Sequence, residues 1–129
     1  MVTNPIVSAF IVVAALAMFP RAGHAADSTP IERGSVVFQD ECLQCHQIGA
    51  EPGGIQGPSL TGVVGRKMAS VKGFAYSKVL MAKGQTWTKA NLDVYLKDPS
   101  AFIPGSEMPV SIGDDRDRAD LIAFLEATK

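Results

Sequence analysis

The 129-residue chain has little cysteine, little histidine and almost no net charge. It contains two cysteines and two histidines, and its twelve basic and thirteen acidic residues leave a formal charge of −1. Two cysteines do not make a disulfide framework. A structural zinc site needs about four Cys or His ligands, and only one further histidine, His24, lies outside residues 42–46. No basic run of the kind that binds a polyanion is present, so a nucleic-acid partner is not expected.

A long hydrophobic run is also missing. Residues 6–19 are apolar and uncharged, but a membrane-spanning helix takes about 20 such residues. A run of this length, followed by the small residues around Ala25 and Ala26, is typical of a signal peptide. We therefore expect residues 1–25 to be a signal peptide, cleaved near Ala25/Ala26, and residues 26–129 to be one exported, periplasmic domain. No Lys or Arg precedes the run, and an uncleaved membrane anchor is the alternative.

The distinctive motif is Cys-Leu-Gln-Cys-His at residues 42–46. Two cysteines at this spacing, followed directly by histidine, are the attachment signature of c-type haem. Each thiol can add to one vinyl group of the porphyrin, and His46 is then placed to reach the iron. A redox disulfide would need thioredoxin-like βαβ surroundings, which the pattern does not show. The motif predicts one covalently bound haem c with its iron, held through Cys42 and Cys45.

A second axial ligand must come from elsewhere. Signal cleavage would remove His24, so the candidates are Met68, Met81 and Met108. Met81 falls in a predicted helix, where methionine usually fills the core, and Met68 lies in a glycine-rich loop. Met108 stands between prolines and a glycine that stiffen the backbone, and it is our choice. His/Met ligation raises the reduction potential and leaves no open iron position, which favours an electron carrier over an enzyme such as a peroxidase.

Apolar spacing and capping residues predict an all-α chain of three to five helices. The first helix begins near Thr29 and Pro30 and is closed by the motif. A glycine-rich stretch, residues 49–72, is long enough to wrap the cofactor. Further helices are expected at residues 76–82, at 89–97 with Pro99 as its stop, and after Asp114; residues 98–114 are expected to be a loop. The last helix has its core face at Leu121, Ile122, Phe124 and Leu125.

These segments together resemble the class I c-type cytochromes, specifically the small soluble monohaem branch of mitochondrial-like proteins and their bacterial relatives. The likeness runs over about residues 30–129 and is carried by CLQCH, GPSLTGVVGRK, GFAYS, TW, YLKDPSAFIPGSEMP and RADLIAFL. It implies the cytochrome c fold, in which helices and long loops surround one covalent haem, with His46 and Met108 as axial ligands.

The resemblance also implies roles for residues around the haem. The Pro58 carbonyl would orient the His46 ring, and Tyr95 and Ser106 would lie beside the methionine. One haem propionate would be stabilised by Arg66, Tyr76 and Trp87. Where the first and last helices cross, the resemblance implies packing of Gly34 and Phe38 against Leu121 and Phe124.

Two residues depart from the family pattern: Leu80 replaces a usual asparagine, and Glu107 replaces a usual lysine. Loss of residues 1–25 would remove Arg21 and no acidic residue, leaving eleven basic and thirteen acidic residues, a charge of −2. The strongly basic surface of the mitochondrial proteins is therefore not reproduced.

The sequence as a whole predicts a periplasmic, monomeric one-electron carrier. Its partners would be larger redox proteins bound transiently: a cytochrome bc complex, a terminal oxidase, a periplasmic dehydrogenase or a reaction centre. No membrane insertion is expected after signal cleavage. The alternatives are a membrane-tethered or dedicated cytochrome subunit of one dehydrogenase or oxidase and, less favoured, a haem peroxidase.

Overall fold

The computed structural model describes residues 28–49 and 56–129, so the predicted signal segment, residues 1–25, lies outside the described residues. In the described part there are five α-helices and no strand, and Lys67 and Thr86 form an isolated bridge. The all-α prediction is confirmed. The helices are α1 Pro30–Val37, α2 Lys78–Lys83, α3 Lys89–Lys97, α4 Pro99–Phe102 and α5 Asp115–Ala127.

Helix α1 begins where the sequence predicts it. The Thr29 side chain accepts from the Glu32 N–H, the Glu32 carboxylate accepts from the Thr29 N–H, and Pro30 occupies the first turn. These contacts satisfy N–H groups that have no partner inside the helix. The chain then widens into a π-helical turn, Phe38–Cys42, that ends on the first cysteine of the motif. Such turns are rare, usually interrupt an α-helix and are frequent at functional sites.

Helices α1 and α5 cross at close range and form the main frame of the fold. Gly34 permits the approach, since a Cβ there would lie 2.8 Å from the Phe124 Cβ and closer still to the Asp120 backbone. The Phe38 and Phe124 rings pack beside it with centroids 5.4 Å apart. The Arg33 guanidinium donates from Nε and Nη2 to the Asp120 carboxylate at 2.6 and 2.9 Å.

The prediction of a loop over residues 98–114 is wrong for its first residues, because α4 forms there. The Asp98 carboxylate accepts from the Ala101 N–H at 2.9 Å and caps the new helix. Pro99 occupies the first turn of α4, where its missing N–H has no helical partner to lose. Pro99, which stops α3, is therefore also compatible with the first turn of a second, short helix.

Helix α2 forms close to its predicted position, between the Ser77 cap and Gly84, which has a φ of +62°. Met81, expected to fill the core, is instead 53% exposed on this helix. A six-residue helix has less than two turns, so apolar spacing cannot define its buried side. None of the helices in residues 28–49 and 56–129 has the length and apolar character that a bilayer crossing requires.

Candidate haem-binding site

A cavity of about 300 Å³ lies in the middle of the described fold. All ten residues that the sequence analysis assigned to the haem site line it: Cys42, Cys45, His46, Pro58, Arg66, Tyr76, Trp87, Tyr95, Ser106 and Met108. They come from the π-helical turn and the residues after it, the glycine-rich loop, the short segments before α2 and α3, α3 itself and the segment after α4. The fold thus brings the predicted site residues around one space.

The motif enters this cavity as a tight turn at the end of the π-helical turn. The backbone N–H groups of Cys45 and His46 both donate to the Cys42 carbonyl, at 3.1 and 2.9 Å. This turn directs both thiols and the imidazole to the same cavity. Burial raises the pKa of the Cys42 thiol to about 11, so this sulfur is a neutral thiol at pH 7. Neither cysteine forms a disulfide.

One ring nitrogen of His46 is engaged by the backbone. Its Nδ1 lies 2.8 Å from the Pro58 carbonyl oxygen, which can accept a hydrogen bond only from a protonated Nδ1. Burial lowers the pKa of His46, which favours the neutral ring. In a neutral ring with the proton on Nδ1, Nε2 is the nitrogen with a free lone pair for a metal.

Gly57 lies flat against the imidazole. A Cβ at this position would be 2.5 Å from His46 Cε1 and 2.6 Å from Nδ1. The absence of a side chain therefore allows the backbone to pack directly on the ring. Gly57 and Pro58 therefore both restrict the position of the histidine ring. Sequence reasoning recognised Gly57 only as one of several loop glycines.

The structure separates the three candidate methionines. Met108 lines the cavity together with His46. Met68 is 3% exposed and packs in the hydrophobic core, and Met81 faces outward on α2. Neither of these two belongs to the cavity wall. Among the described residues, Met108 is the thioether that shares the space of the imidazole.

Ser106 and, behind it, Tyr95 of α3 hold the Met108 backbone. The Met108 N–H donates to Ser106 Oγ at 3.4 Å, and the same hydroxyl lies 3.2 Å from the Tyr95 hydroxyl. The Tyr95 ring packs on Trp87 with centroids 5.0 Å apart. Tyr95 belongs to α3, so the helix anchors the segment through Ser106. Burial raises the pKa of Tyr95, which favours the neutral hydroxyl.

Arg66 places a positive charge at the cavity wall. Its Nη1 and Nη2 donate to the carbonyls of Thr61 and Ser59 at 2.7 and 2.8 Å. The guanidinium is half-buried, and among residues 28–49 and 56–129 no carboxylate lies within ion-pair distance of it. A half-buried cation of this kind suits an anionic ligand group.

The donor set fits an iron porphyrin. The two thiols can add to the vinyl groups of the porphyrin. A neutral imidazole and a thioether are suitable iron ligands. The Arg66 guanidinium can bind a propionate. Apolar side chains complete the wall, among them Leu92, Leu96, Ile103, Leu121 and Leu125. Sequence reasoning assigned some of these to helix core faces and did not connect them with the cavity, because their meeting depends on tertiary packing.

Comparison with known proteins agrees with this geometry. The family model for cytochrome c matches residues 31–129. A cytochrome c of Stellaria longipes is 42% identical over 96 residues, which cover 74% of this chain and 89% of that protein. A cytochrome c2 of Rhodomicrobium vannielii is 46% identical over 96 residues, 72% of this chain and 74% of its own length. A cytochrome c of Tetrahymena pyriformis is 43% identical over 95 residues, 73% and 84% of the two chains.

A family match over most of the chain, relatives at this identity and a cavity with a fitting donor set all agree. The chain belongs to the cytochrome c family, whose members carry electrons on one covalently attached c-type haem.

Proposed function

We propose that this protein is a periplasmic one-electron carrier whose haem is tethered by Cys42 and Cys45 and ligated by His46 and Met108. The observation that carries the proposal is the shared cavity of the two cysteines, the imidazole and the Met108 thioether. When bound, the haem supplies a one-electron Fe(II)/Fe(III) couple.

The protein's contribution is to hold His46 and Met108, the residues that would ligate the iron, with little freedom. His46 is held by the backbone of Gly57 and by the Pro58 carbonyl, and Met108 is held through Ser106 and Tyr95. A ligand set that stays in place in both redox states leaves little to rearrange when an electron moves. Arg66 would compensate the charge of a haem propionate, which is costly to bury alone.

The geometry does not favour a peroxidase. That reaction needs an open iron position and a distal acid–base group. Met108 shares the cavity with His46, and His46 is the one histidine among residues 28–49 and 56–129. A carrier requires neither an open position nor a distal base.

The test of ligation is the absorption spectrum of the purified holoprotein and of its Met108→Ala variant. We expect the wild type to be low-spin, to show the weak methionine-to-ferric-iron band and not to bind carbon monoxide when reduced. Met108→Ala should lose the band and bind carbon monoxide. Met81→Ala is the matched control and should behave as the wild type, because Met81 lies outside the cavity. Carbon monoxide binding by the reduced wild type would contradict Met108 ligation.

We propose further that the partners are larger redox proteins that dock transiently. Weak electron-transfer encounters use small interfaces and electrostatic steering. Residues 52–92 contain six basic and no acidic residues, whereas the exposed Glu41 and Glu107 line the cavity. A partner with acidic and basic patches in matching positions would suit this distribution of charge.

The cellular location is tested by the mass of the mature protein. Cleavage after Ala25 would give a chain that starts at Ala26 and fractionates with the periplasm. A holoprotein that retains residues 1–25 and sediments with membranes would contradict the proposal and support the tethered alternative.

A further inference from the structure

Helix α2 contacts the end of α4 and also the segment that follows it, which carries Met108. We call residues 103–113, between α4 and α5, the methionine loop. The Lys83 ammonium donates to the Phe102 carbonyl at 3.0 Å, directly before this loop begins. Three residues into the loop, Gly105 lies so close to Val79 that a Cβ on the glycine would be 3.5 Å from Val79 Cγ1.

Lys83 holds Phe102 in two ways. Besides its hydrogen bond to the carbonyl, its Nζ lies 4.5 Å from the centroid of the Phe102 ring. A charged donor makes a stronger hydrogen bond than a neutral one, and the ring face attracts the same charge. The carbonyl belongs to the last turn of α4, where carbonyls have no partner inside the helix. We call these two contacts the Lys83–Phe102 clasp.

The clasp is connected to Met108 through the aromatic side chains of Phe102 and Tyr95. The Phe102 ring packs against Tyr95 and Trp87, with centroids 6.1 and 6.4 Å apart. The Tyr95 hydroxyl lies 3.2 Å from Ser106 Oγ, which in turn accepts from the Met108 N–H. Phe102 thus fixes the start of the loop and also supports the tyrosine that holds it near the methionine.

We infer that Lys83 is a positioning residue for Met108. The clasp opposes movement of the methionine loop away from α2, and so it controls how readily an outside ligand replaces the thioether. This role rests on the proposed His46/Met108 ligation. Lys83 itself does not line the cavity, so it acts through Phe102 and the loop.

The test is a titration of the ferric holoprotein with imidazole, followed by absorption spectroscopy. Imidazole must displace Met108, so its apparent affinity rises when the loop opens more easily. Lys83→Met should raise this affinity about fivefold, since one hydrogen bond of ordinary net strength is lost. Lys83→Arg keeps a charged planar donor that can reach a carbonyl and stack on a ring, and it should restore affinity close to that of the wild type.

Two controls separate this role from a general loss of stability. Lys89→Met removes a lysine whose Nζ lies 3.2 Å from the carboxylate of Glu126 in α5. This variant should leave the imidazole affinity unchanged. In a Met108→Ala background the thioether is absent, so Lys83→Met should no longer change the affinity. If Lys83→Met does not fold, Lys83→Ala, which also removes the donor and the charge, gives the same comparison.

Hydrogen exchange supplies a second readout that does not use ligand binding. The Ile103 N–H donates to Pro99 O and the Ser106 N–H to Ile103 O, at 2.9 and 2.8 Å. Lys83→Met should speed exchange of these two amides more than that of amides in α5.

Unchanged imidazole affinity in Lys83→Met, or an increase that persists undiminished in the Met108→Ala background, would overturn the inference. If Met108→Ala alone left imidazole affinity unchanged, the fault would lie in the proposed ligation and not in the clasp. The two failures are therefore distinguishable.

Discussion

Gly34 of α1 lies directly against the backbone of Asp120 in α5. A Cβ at residue 34 would be 2.5 Å from the Asp120 carbonyl carbon and 2.8 Å from the Phe124 Cβ. These neighbours are a backbone atom and a Cβ atom, and neither can be moved away by rotating a side chain. The two helices can keep this distance only with glycine at the crossing.

Gly34→Ala should lower the free energy of unfolding by about 2 kcal/mol or more, because overpacking forces the backbone to shift. Denaturant unfolding followed by circular dichroism measures the change. Gly113→Ala is the control, since a Cβ added at Gly113 would have no neighbouring atom within 4 Å, and it should change stability by less than about 0.5 kcal/mol. Equal stability of the two variants would contradict the close crossing.

A second prediction concerns acid stability. The Arg33 guanidinium, by hydrogen bonding and charge, holds the pKa of Asp120 below its usual value, and Arg116 adds a weaker attraction. The unfolded chain therefore binds a proton at a higher pH than the folded protein does. The contribution of Asp120 is complete above its unfolded pKa, near 4, and is lost as the pH falls through the lower folded pKa.

Asp120→Asn should thus be less stable than the wild type at pH 7 and should lose less stability between pH 5 and pH 2. Asp117→Asn is the control, because Asp117 forms no ion pair within residues 28–49 and 56–129. Parallel pH curves for Asp120→Asn and the wild type would contradict the role of the Arg33–Asp120 pair.

A third prediction concerns the proximal histidine. Gly57→Ala would place a Cβ 2.5 Å from His46 Cε1 and so push the imidazole away from the Pro58 carbonyl. We expect lower haem incorporation and a partly high-spin ferric spectrum, with Gly113→Ala again unaffected. A wild-type spectrum in Gly57→Ala would show that the ring has more freedom than this contact allows.

A fourth prediction concerns Arg118, which is 2% exposed. Its guanidinium pairs with Asp93 and Asp115 and donates to the carbonyls of Ile112 and Gly113, at 2.5 to 2.9 Å. It therefore joins α3 and α5 to the end of the methionine loop. Arg118→Met should lower the melting temperature clearly more than Arg116→Met, because the Arg116 side chain is 72% exposed. Similar losses would contradict this role.

Much of the fold could be predicted because its helix ends are local. Thr29 with Pro30, Thr88 before α3 and Asp114 before α5 act on N–H groups only two or three residues away. Helix α4 was missed because Pro99 was interpreted only as a stop. The π-helical turn was missed because the apolar spacing does not distinguish it from a continued α-helix.

The candidate site was predictable where chemistry restricts the choice. Few side chains can attach or ligate a haem, and the ten predicted residues do surround one cavity; their roles as ligands stay predictions. The Gly57–His46 packing and the Lys83–Phe102 clasp could not be predicted. Each depends on distant parts of the chain meeting in space, and neither has a motif of its own.

The π-helical turn has a consequence for tolerance to deletion. It inserts extra backbone between the face of α1 that meets α5 and the first cysteine of the motif. Removing one residue from Phe38–Cys42 would turn this stretch into ordinary α-helix, and every side chain downstream would rotate about the helix axis. The exposed Gln39 and Asp40 are thus free to change in identity, but the number of residues in this short stretch is not free to change.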